Sequence, residues 1–166
     1  MNWRLAKALE MLRSQVDAAF PKRRKHEDGT IGDESHQSRE SDHNPWVDGN
    51  VVTALDITHD PANGCDCEAL SARLLKSHDS RIKYIIWNKR IANYQALQNA
   101  KPFAWRPYHG ASDHTKHMHV SVRPSKMFYD CQLPWDIVQP PHPSPEVASN
   151  KAASPSPAPK QSTAKS

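Results

Sequence analysis

The chain has 166 residues, enough for one ordinary domain and an appendage and too few for two full-sized domains. Its hydrophobic content is 37%, and half of its 14 prolines stand at or beyond position 140, so residues 1–138 read as the folded domain and residues 139–166 as a Pro/Ser/Ala/Lys-rich disordered tail. The net charge of +4 suits a polyanionic partner such as nucleic acid or an anionic cell wall, and no stretch approaches the roughly 18 apolar residues of a membrane span.

In chain order, residues 3–20 predict an amphipathic helix, with Leu5, Leu9, Leu12, Val16 and Phe20 at helical spacing, Asn2 as its cap and Pro21 as its stop. Arg4, Lys7, Glu10 and Arg13 interrupt every apolar run there, so the segment does not read as a signal peptide. Residues 21–50 are polar and aperiodic, a loop long enough to be functional or disordered. Residues 51–58 form a β-rich run whose alternation places Val52, Ala54, Asp56 and Thr58 on one face. Asp66 caps a helix running to about Ser77, with Leu70, Leu74 and Leu75 inward. Residues 82–87 predict a largely buried strand, a loop-rich stretch with Trp105 follows, and residues 117–122 predict a third strand. There His117, His119 and Ser121 share one face, while Met118, Val120 and Val122 face the core. Three cysteines cannot all pair within one chain, and Cys65 and Cys67 are too close for an ordinary bridge, which fits synthesis in a reducing cytoplasm.

The 10 histidines are not scattered. His36 and His43 lie in the long loop, His59 follows the first predicted strand, and His114, His117 and His119 bracket the last. Two imidazoles two residues apart on a strand lie about 7 Å apart, which suits one as a metal ligand and the other as a group beside a metal-bound water. Asp56 stands in an apolar run, where a carboxylate is costly to bury unless paired or bound to metal. His43 is followed by Asn44-Pro45, a rigid turn. Two histidines and one aspartate leave a fourth tetrahedral position for water, the layout of catalytic zinc. The order of elements predicts an α+β fold: a small antiparallel sheet with the zinc site on one face and helices packed on the other.

Ser41-x-His43, Ala54-x-Asp56 and His117-x-His119 resemble the LAS-type zinc metallopeptidases, the group that includes D-Ala-D-Ala peptidases, lysostaphin-type enzymes, murein endopeptidases and the zinc fold of hedgehog proteins. The resemblance covers roughly residues 30–123. It implies one zinc ion held by His43, Asp56 and His119, with His117 as the active-site histidine. The fuller string His114-x-x-His117-x-His119 looks most like the penicillin-insensitive murein endopeptidases, in which the outer histidine also lines the site. Arg39 precedes the first ligand much as an arginine does in D-Ala-D-Ala peptidases, where it contacts substrate or developing charge. Two features depart from the group's pattern. The segment between His43 and Asp56 is longer, with Trp46–Asn50 as an inserted hairpin, and Lys116 occupies the place of the usual acid three residues before the last ligand. His117 is therefore the expected general base, with Asp113 as second candidate.

The resemblance implies a peptidase acting on the stem peptides of peptidoglycan, similar to the peptidase modules of phage endolysins. Such a chain is expected to be a monomer without membrane insertion or a nucleic-acid partner, made in the cytoplasm and brought to the cell wall by holin-type release. L-Ala–D-Glu, D-Ala–diaminopimelate and D-Ala–D-Ala bonds all remain open as targets. Two other readings compete. One is a metal-dependent nuclease or phosphodiesterase built on Asp42-His43-x-Pro45 or on His119-Val-Ser121. The other is a catalytically inert, zinc-stabilised wall-binding module in which His117 closes the coordination shell.

Overall fold

Period-two alternation divides the central strands into a polar and an apolar face, and the structure, a computed structural model describing residues 2–32 and 40–137, is α+β around that division. His36, Arg39 and the segment from 139 onward lie outside the described residues. Five strands form one antiparallel sheet in the order β3-β7-β4-β5-β6: β3 (Ala54–Thr58), β4 (Ile82–Trp87), β5 (Arg90–Asn93), β6 (Arg106–Pro107) and β7 (His117–Val122). A two-residue parallel pair, β1 (Arg4–Leu5) with β2 (Val51–Val52), lies beside it. The helices are α1 (Lys7–Ala19), α2 (Cys67–Ser77) and the single turn α3 (Lys126–Tyr129).

The first helix is shorter than its apolar spacing predicts. Arg4 and Leu5 pair with Val51 and Val52, so their backbone is extended and the helix starts only at Lys7. Asn2 is not its cap. Ala6 occupies that position without a side-chain hydrogen bond, and its carbonyl accepts from the amides of Leu9 and Glu10. At the far end Pro21 excludes the helical conformation for the residue before it, and Phe20 leaves the helix at φ −128°. In α2 the Asp66 carboxylate accepts from the Glu68 amide at 2.9 Å, and the helix runs to Ser77 as expected from that cap. Leu9, Leu12 and Val16 of α1 and Leu70 and Leu74 of α2 join Leu55, Ile57, Met118, Val120 and Val122 in one core on the apolar face.

The 51–58 run is two strands, because Thr53 turns its amide to the Asp42 carbonyl and its carbonyl to the Val122 amide. A β-bulge at Lys83 decides the facing of β4. Ile82 pairs with Val122 but Tyr84 with Ser121, so the extra residue lets both Ile82 and Ile85 enter the core. It also sends Tyr84 and Ile86 to the polar face beside Ser121 and His119. The segment Trp46–Asn50 folds back as expected of a hairpin. Val47 bridges Val51 across a tight turn in which Asp48 and Gly49 both take positive φ, as a turn matching the twist of its flanking chains requires.

The free edge of β3 is covered. Gly29 bridges Asp56 in antiparallel fashion, its carbonyl accepting from the Asp56 amide at 2.8 Å. Residues Glu27–Thr30 thus run as a strap along the strand that carries the central carboxylate. The strap is anchored by Asp28, which accepts from the Thr58 amide at 2.9 Å and hydroxyl at 2.7 Å, and by Arg23, whose fully buried guanidinium bonds both Asp28 and Asp17. Among the described residues no helix is long and apolar enough to cross a membrane, and Cys65, Cys67 and Cys131 are free thiols.

Candidate metal centre

Asp56 and His119 stand directly opposite each other on β3 and β7, on the face turned away from the core. His43 reaches them from the loop before β2, where its own carbonyl accepts from the Gly32 amide and the preceding carbonyl from Thr53. One ligand atom from each of the three residues can be chosen so that all lie within 4.8 Å of one another, a set able to hold a metal ion. Nε2 of His43 is 3.1 Å from Nδ1 of His119, and the Asp56 carboxylate approaches these two nitrogens at 3.3 and 3.1 Å.

The far nitrogens of both rings are already engaged. Nδ1–H of His43 donates to the Thr30 carbonyl at 2.8 Å, and Nε2 of His119 lies 2.9 Å from the Ser121 hydroxyl. This is how ligating imidazoles are oriented: an outer partner holds one nitrogen and turns the lone pair of the other inward. Tyr84 stacks flat on the His119 ring, 5.4 Å between centroids at 9°. Two imidazoles and a carboxylate with engaged outer nitrogens make a donor set that could hold a metal ion.

The charges follow the same geometry. Burial would raise the Asp56 carboxyl, but hydrogen bonds and charge from His119 and His43 outweigh it and hold the group ionised, well below the usual carboxylate range. Burial works to lower His43, yet its bond to Asp56 raises it above the ordinary imidazole value. In His119 burial prevails over Asp56, and the value is lowered.

His117 and His114 lie beside the trio. His117 Nε2 is 4.0 Å from the Asp56 carboxylate, and the His114 ring meets those of His117 and His119 edge-on at 5.1 and 5.8 Å. His114 adopts a left-handed backbone, φ 50°, and its Nδ1–H donates to the Ser112 carbonyl. Burial, then the neighbouring imidazoles, push its value down to about 4, so near neutrality it is an uncharged ring with Nε2 as acceptor. The five residues open into a cleft of about 450 Å³ whose walls include Tyr84, Tyr108 and Ser112.

Other sequence candidates are employed elsewhere. Asp113 pairs with Lys89 at the exposed surface, 3.4 Å away. Asp42 binds Lys83 through both oxygens at 2.8 Å. His59 accepts from the Cys67 amide at the start of α2 and tilts against Trp87. Arg39 lies outside the described residues. Ser121 had a visible signal, its place on the histidine face of β7. Thr30 had none, because it acts through its carbonyl and any residue type supplies one.

Gly29 fits this site because a side chain there would intrude on a ligand: an added Cβ would lie 2.9 Å from Oδ2 of Asp56. Replacing Gly29 with alanine is expected to weaken metal binding by about 10- to 100-fold, the usual effect of disturbing a ligand's support. Competition with a chromogenic chelator measures it, and unchanged affinity would show that the strap can yield.

No family model, no curated protein and no solved structure matches the chain.

Proposed function

We propose that the chain is a zinc-dependent peptidase that hydrolyses an amide bond in the peptide stem of bacterial peptidoglycan. The observation that carries this reading is the juxtaposition of the His43–Asp56–His119 trio with two further histidines at the mouth of an open cleft. A purely structural site is closed by a fourth ligand, whereas this one faces space large enough for a peptide segment.

The chemistry supplied by a bound zinc ion is Lewis acidity toward a carbonyl oxygen and toward water. His43, Asp56 and His119 would hold the ion, while Thr30, Ser121 and Tyr84 keep the two rings aimed. His117 accepts the proton of the attacking water and returns it to the leaving amine nitrogen as the C–N bond breaks, so that water is added across the amide and the residue is regenerated. His114 and the Tyr84 and Tyr108 side chains line the cleft where the substrate backbone would lie. The phosphodiesterase alternative loses support because Asp42 is committed to Lys83 and Ser121 to His119.

Digestion of purified sacculi with zinc-loaded protein tests the proposal. New free amines at one defined stem bond are expected, absent after chelation, restored by zinc, and reduced about 10²- to 10⁴-fold in His117→Ala. Intact sacculi from several wall chemistries, with zinc stoichiometrically bound, would instead establish the inert module.

A further inference from the structure

The ring of His117 lies between two carboxylates. On one side Nε2 faces Asp56 of the ligand trio. On the other, Nδ1 is buried and makes no hydrogen bond among the described residues, and the nearest charged group is the Glu27 carboxylate, Oε2 at 3.7 Å. Glu27 was hidden in the aperiodic loop, and its location follows from the contacts of the strap with β3. Gly29 bridges Asp56, and two residues earlier the Glu27 amide donates to the Thr58 hydroxyl at 3.1 Å, which brings Glu27 beside Thr58. Thr58 in turn stands opposite His117. Glu27 thus reaches the His117 ring past the residue that His117 pairs with. The small threonine side chain in the middle leaves room for the longer glutamate to reach across it.

We propose that Glu27 is a positioning residue for His117: its carboxylate accepts the Nδ1–H and so presents an unprotonated Nε2 to the cleft. The 3.7 Å separation is longer than a hydrogen bond, and such contacts tighten when substrate occupies a site. A carboxylate behind an imidazole fixes both its orientation and its tautomer. The assignment rests on the peptidase reading for its consequence in catalysis, though the contact itself stands without it. It also supplies a role for an acid that the sequence lacks at Lys116.

The test combines a spectroscopic and a kinetic measurement. Side-chain ¹H–¹⁵N NMR at one fixed pH, with and without zinc, reads the His117 tautomer directly. The parent is expected to carry the proton on Nδ1, Glu27→Ala to shift it toward Nε2, and Glu27→Gln, which keeps an acceptor oxygen, to retain the parental form in part. On a soluble stem peptide Glu27→Ala is expected to lower kcat about 10- to 100-fold with KM within about twofold and zinc content unchanged, and to add nothing in a His117→Ala background. An unchanged tautomer in both Glu27 variants would overturn the proposal. A shifted tautomer in a parent without peptidase activity would leave the contact standing and remove only the peptidase reading.

Discussion

Asp56→Asn is expected to lose zinc affinity by more than about 100-fold and, on the peptidase reading, to abolish activity. Loss of an outer partner of a ligand costs about 10- to 100-fold, and loss of the charged ligand itself must exceed that. Asp56 is the one anionic member of the trio, and it is ionised in the folded chain because His119 and His43 hold it so. The amide of asparagine keeps the shape but supplies no charge, leaving two imidazole nitrogens 3.1 Å apart without the carboxylate that balances them in the parent. Ser121→Ala should fall in the milder range, since it frees only the outer nitrogen of His119. Chelator competition on both variants separates the two roles. Equal, parental affinity in Asp56→Asn would remove Asp56 from the ligand set.

The second large effect is on stability. Arg23→Met is expected to destabilise the fold by about 3 kcal/mol, toward the lower end of the range for breaking a buried ion pair. The lower end applies because Asp17 keeps Lys25 at 2.7 Å and Asp28 keeps the Thr58 amide and hydroxyl. Burial raises the Asp28 carboxyl, but Arg23 and Thr58 outweigh it and hold it below its ordinary value of 3.8; Asp17 is likewise lowered by Lys25 and Arg23 against its own burial. A carboxyl depressed by folding stabilises above its unfolded value and loses that contribution as pH falls through the folded one. Urea unfolding of the parent should therefore weaken below about pH 4, and Arg23→Met should flatten that acid limb. A loss under about 1 kcal/mol would mean that the pair contributes little beyond replacing its own desolvation.

What the sequence made readable was whatever acts through local chemistry. Asp66 announced α2 because a capping carboxylate needs only the next two amides. The alternation in 51–58 and in 117–122 placed Asp56 and His119 each on one face of its strand, and the structure pairs them. The missed parts depend on distant backbone. Leu5 has the spacing of a helix but the partner of a strand. β5 has only Ile91 and Ala92 to mark it, and its tight connection uses Asn88 and Lys89 at positive φ, without the glycine that usually signals such a turn. That turn is held by the carbonyls of Asp113 and His114, which also carries His114 to the cleft. Glu27 and Thr30 meet the site through the contacts of the strap, which composition does not encode.

That strap has a second consequence, at the edge of the sheet. β3 is the terminal strand of its sheet, and an uncovered strand edge is a template for pairing with another chain. Gly29 occupies the hydrogen-bonding groups of Asp56 on that edge, while the opposite edge ends in Pro107, which has no amide to offer. The short segment beside the site therefore also leaves fewer open hydrogen-bonding groups on that edge for another chain to pair with. Changes that release it are expected to expose that edge and, with it, to disturb the backbone that supports Asp56.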